Sequence, residues 1–115
     1  MNQEPSESLK KFAQNVYDKL DQNYNFDPFL IIAIVNITIN IVKVIMYLYF
    51  TNNSKKIQQA IINMNNPVVK LIMRREIKKE CPDLDREQRK DLYNSIVNAV
   101  HGYGESEFKD LVSSI

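Results

Sequence analysis

Cys81 and His101 are the one thiol and the one imidazole in this chain, so nucleophilic or proton-transfer chemistry would have to be built on them. A cysteine–histidine pair makes a thiolate nucleophile when the imidazole takes the thiol proton. Cys81 precedes Pro82, however, and His101 precedes Gly102, which are the surroundings of helix ends and not of an active site. One histidine cannot supply a histidine-based metal site within a single chain. Asp83, Asp85 and Glu87 alternate as calcium-loop ligands do, but the stretch lacks the glycine and the later glutamate of such a loop. Acidic side chains in a first helical turn are expected from the helix dipole alone. No paired carboxylates and no glycine-rich phosphate loop stand out. The expectation is a non-enzymatic protein with no cofactor, no metal and no small-molecule substrate.

Two patterns suit recognition rather than catalysis. Asn36, Asn40, Lys43 and Tyr47 follow one another at steps of four, three and four. On a helix these form one narrow polar stripe in an otherwise apolar run, suited to a subunit contact. Amides at such positions give register or orientation to a helix contact. Lys70, Arg74 and Lys78 form a second row at i, i+4 and i+8, with Arg75 and Lys79 beside it. Such a face suits phosphate or nucleic-acid contacts. It has no interleaved aromatic for base stacking and no DNA-binding motif. The bland alternative is a solvated face with ion pairs to Glu76, Glu80 and the acidic stretch Asp83–Glu87.

The elements that would hold these residues are helices. Ser6 caps a first helix over about 7–22, whose Leu9, Phe12, Ala13, Val16, Tyr17 and Leu20 share one face. Asp27-Pro28 starts a second, nearly all-apolar helix over 27–50. Its many β-branched residues would also suit strands, but strict alternation fails and no Gly or Pro interrupts it after Pro28. A short helix follows over about 55–64. A fourth runs from the Asn66 cap and Pro67 to Cys81-Pro82. Asp85 and Gln88 open a fifth with a capping-box pattern, and His101-Gly102 closes it as a C-terminal cap. A last helix covers about 105–114. The fold expected is all-α: a single-domain bundle over 1–115, with five to six helices around the apolar one.

The 115 residues carry a net charge of +1, so the whole chain is no polyanion binder. The single cysteine rules out an intrachain disulfide framework. The start, Met1–Ser8, is acidic and polar and lacks the pattern of a signal peptide. Three burial modes are open for the apolar run, one of them insertion into a partner protein. It can be a core helix wrapped by protein, with the stripe looking out through a gap. It can also span a bilayer, for which about twenty apolar residues suffice, with Lys55 and Lys56 on the cytoplasmic side. The one-sided apolar faces of the other helices need something to cover, which favours the core helix.

The order Asp27-Pro28-Phe29-Leu30-Ile31-Ile32-Ala33-Ile34-Val35-Asn36, then a basic helix over Lys70–Lys79, then an ending Gly104-Glu105-Ser106-Glu107-Phe108, resembles small proteins of tailed bacteriophages with AT-rich genomes. That resemblance spans roughly 27–115. It implies a virion or assembly component located in the particle or the host cytoplasm, with other protein subunits as partners and no catalytic residues. The runner-up is a single-pass membrane protein of the holin or anchor kind.

Overall fold

The computed structural model describes residues 5–115; residues 1–4 of the polar start lie outside it. Among the described residues six α-helices follow in order: α1 (Glu7–Asp18), α2 (Leu30–Leu48), α3 (Ser54–Ile62), α4 (Pro67–Glu80), α5 (Arg86–Gly102) and α6 (Glu105–Ser113). There is no strand among the described residues, so the all-α expectation holds.

Side chains fix most helix starts. The Ser6 hydroxyl accepts from the Leu9 amide at 3.1 Å. Asn53 caps α3 through Lys56, and Asn66 caps α4 through Val68 and Val69. Asp85 and Gln88 exchange both capping-box hydrogen bonds at 2.9 Å. Each satisfies amides that a helix start leaves unpaired.

Three boundaries differ from expectation. α1 stops at Asp18, because the amides of Lys19 and Leu20 turn to Val16 and Tyr17 in 3₁₀ fashion. The Asp21 amide then donates to Asp91 Oδ2 on α5, and a 3₁₀ turn follows at Gln22–Tyr24. The entry to α2 is tightened in the same way. Asp27 accepts from the Phe29 amide, and Leu30 to Ile32 bond three residues back, so regular α-helix begins at Leu30. Gly102 is not a left-handed cap; it ends α5 without a positive φ. The carbonyls of Val100 and Tyr103 instead accept from Gln58 Nε2 on α3 at 3.0 and 2.9 Å. With those acceptors satisfied by a neighbour, the chain turns straight into α6.

α2 packs between α1 and α4 and touches α3, whereas α5 packs on α1, α3 and α4. α6 lies on α3 and α1. One core joins all six. Phe12, Ile34, Ile37, Ile41, Ile45, Met73, Leu92, Ile96 and Phe108 are among its fully buried side chains. α2 contributes eight buried residues, from Leu30 to Ile45. It is long and apolar enough to cross a membrane by length and composition, and its inner face is core.

Candidate functional site

The wrapping of α2 is less complete than its sequence suggests. Asn36, Lys43 and Tyr47 are exposed and Asn40 is half-buried, so the polar stripe does face outward. Apolar residues extend it at both ends. Phe29 is 76% exposed and Ile32 61%, and beyond Tyr47 at 78% lies Phe50 at 93%. α4 borders this face along one side and runs antiparallel to α2. Asn66 Nδ2 donates to the Tyr49 hydroxyl at 2.9 Å, and Asn40 Nδ2 donates to Glu76 Oε2 at 3.1 Å. Val68 and Leu71 on α4 are exposed as well.

Phe50 has an unusual backbone. Its φ is +47°, in the left-handed region that glycine favours. The Thr51 amide donates to the Met46 carbonyl at 3.1 Å and the Phe50 amide to Tyr47 at 3.4 Å. That is a Schellman ending with phenylalanine where glycine would be unstrained. The other left-handed residue among those described is Asn25, a side chain that tolerates this conformation. A strained backbone at Phe50 thus presents a large apolar ring to solvent.

The five cations expected to line up on α4 are divided between two grooves. Arg75, Lys78 and Lys79 border an open groove of about 500 Å³ between α2 and α4, with Val44, Ile72 and Glu76. Lys70 and Arg74 instead line a cleft of about 420 Å³ shared with α5. Arg86, Arg89 and Lys90 enter the same cleft from α5. The ion pairs expected with Glu76, Glu80 and the Asp83–Glu87 stretch do not form. Glu76 serves Asn40 and Asp85 serves the α5 cap.

Sequence reasoning missed Phe29, Ile32 and Phe50 as parts of the outer face, and Arg86, Arg89 and Lys90 as parts of a site. Two signals were available. Residues 28–75 hold six cations (Lys43, Lys55, Lys56, Lys70, Arg74 and Arg75) and no acidic residue. Arg86, Arg89 and Lys90 sit at i, i+3 and i+4, which is one helix face.

Cys81 and His101 are not brought together as a catalytic pair. Cys81 is buried at the end of α4, and burial pushes its thiol up to about 11, with Glu80 adding to the shift. A thiol so protonated at neutral pH is a poor nucleophile. His101 is exposed in the last turn of α5. Asp83, Asp85 and Glu87 form no cluster able to hold a metal ion among the described residues.

No family model matches this sequence, no curated protein is similar to it, and no solved structure matches its fold.

Proposed function

We propose that the protein is a non-enzymatic assembly subunit whose outer α2 face pairs with the same face of a second copy. One observation carries this reading: three pairs of exposed residues on the stripe are placed symmetrically about one centre. Phe29, Ile32, Asn36, Asn40, Lys43, Tyr47 and Phe50 run along the stripe. Positions 29 and 50, 32 and 47, and 36 and 43 all share the midpoint between Ile39 and Asn40. A two-fold axis there sets Phe29 against Phe50, Ile32 against Tyr47 and Asn36 against Lys43. That is the self-complementarity an isologous contact requires. The apolar ends supply burial, and the amide carbonyl of Asn36 accepts from the ammonium of the facing lysine. The two Lys43 side chains would stand about 10 Å apart along the axis, beyond the screening length of about 8 Å at physiological salt.

The polar centre favours a protein partner over lipid. The Asn36 side chain makes no hydrogen bond among the described residues, and hydrocarbon would leave its amide unpaired at high cost. The eight α2 residues in the core argue against a spanning α2, which would strip the other helices of their cover. The assembly implied by the bacteriophage resemblance is a virion, built in the host cytoplasm. The dimer would be its building unit.

Sedimentation equilibrium of the purified chain tests this. A concentration-dependent dimer is expected. Asn36→Asp should tighten it by about fivefold through two new ion pairs with Lys43, and Asn36→Lys should loosen it by a similar factor. Ile32→Ser with Phe50→Ser should abolish it, since buried aromatic anchors carry most of an interface's energy. A monomer at all concentrations, or equal effects of Asp and Lys at position 36, would sink the pairing. A monomer that co-sediments with lipid vesicles would move the case to the membrane reading.

A further inference from the structure

The cleft between α4 and α5 has no part in the pairing of α2. Lys70 and Arg74 reach it from α4, and Arg86, Arg89 and Lys90 from α5. Five cations therefore line a space of about 420 Å³ with no acidic residue among its walls. Three of the neighbouring acids have partners elsewhere. Asp85 caps α5, Asp91 accepts from the Asp21 amide at 2.8 Å, and Glu76 accepts from Asn40. Arg89 spends one N–H on the Leu84 carbonyl, which fixes its guanidinium at the cleft's edge and leaves further donors free.

Tyr93 forms part of the wall. The residue is buried, while its hydroxyl makes no hydrogen bond among the described residues. Among the described residues no buried side-chain polar atom lacks a partner, so that hydroxyl is wetted at the cleft. A neutral donor thus stands among five cationic ones. Unpaired like charges gathered in one concavity repel one another, and an anion that enters relieves all of them together.

We infer that this cleft is a binding site for a compact, multiply charged phosphate: a polyphosphate or the phosphate chain of a nucleotide. Arginine forks match phosphate oxygens two at a time, and lysines add point charge. The volume falls in the range of small-ligand sites. A nucleic-acid strand would need a longer track. The remaining α4 cations Arg75, Lys78 and Lys79 open instead into the α2–α4 groove beside Glu76.

Calorimetric titration of the full chain with inorganic tripolyphosphate, ATP and a single-stranded dT oligonucleotide tests the assignment. Tripolyphosphate or ATP should bind at one site per chain. Arg74→Gln with Lys90→Gln should weaken binding by about tenfold or more, the scale of losing two charge-assisted contacts. Arg75→Gln with Lys79→Gln should leave it within about twofold, within the scatter of surface substitutions. The cleft variant should melt no lower than the parent, because it removes repulsion, so lost binding is not lost folding. The site is overturned if neither small phosphate binds, or if both double variants weaken binding equally. It is also overturned if only the oligonucleotide binds.

Discussion

Phe50 shows at the scale of one residue how a local cost points to a role. A non-glycine residue in the left-handed region is disfavoured by about 1–2 kcal/mol. Phe50 bears that cost and buries little, the residue being 93% exposed with its ring 6.5 Å from that of the exposed Tyr47. Phe50→Gly should therefore raise stability to urea by about 0.5–1 kcal/mol, the relief of strain less the added freedom of the unfolded chain. The same variant should weaken the dimer. If it destabilises the monomer, the ring has packing partners and the argument for its exposure as an interaction device fails. Cys81 makes the opposite point. Its folded thiol titrates near 11, above the ordinary value of 9.0, because burial disfavours the thiolate. The protonated form is the one the fold favours. Its contribution is complete below pH 9 and is lost as pH rises toward 11. Tyr93 and Tyr103 are also held up, chiefly by burial. The difference between the wild type and Cys81→Ala isolates the thiol. Cys81→Ala should lose less stability between pH 9 and 11, and parallel pH curves would refute this.

At the scale of the element, caps were legible in the sequence and terminations less so. Ser6, Asn66 and the Asp85–Gln88 pair act within three residues of themselves, so their chemistry needs no tertiary context. Gly102 reads as a C-terminal cap on the same local logic, and the fold overrules it. Gln58 reaches across from α3 to take the carbonyls at that end. Gly102 has no positive φ, and a Cβ there would meet nothing within 4 Å. Gly102→Ala should therefore stabilise the protein by about 0.5–1 kcal/mol through helix propensity, readable by thermal or urea unfolding. Destabilisation would mean that the position needs glycine after all. The early end of α1 has the same kind of cause, since Asp91 on α5 claims the Asp21 amide.

For the whole molecule, the net charge of +1 conceals a separation. The six cations of residues 28–75 stand without an acid, while the segments on either side are net negative. Folding leaves the cations of α3 and α4 exposed or at cleft edges. At pH 7 and low salt the protein should therefore bind a cation exchanger despite its near-zero net charge, because surfaces respond to local potential. Passage through the column unretained would show that the opposite charges mix on the surface.

By itself the sequence determined the helices, their capped starts and the apolar inner face of α2. Each rests on periodicity or on contacts within one turn, which the linear order of residues encodes. It also placed Asn36, Asn40, Lys43 and Tyr47 on one stripe, because helical geometry alone does that. Tertiary structure decided which arc of α2 stays uncovered, and so added Phe29, Ile32 and Phe50 to that stripe. It also divided the cations of α4 between two grooves and set Lys70 and Arg74 opposite Arg86, Arg89 and Lys90. Those outcomes depend on which neighbours pack where, and packing joins residues far apart in the chain whose proximity no local pattern records.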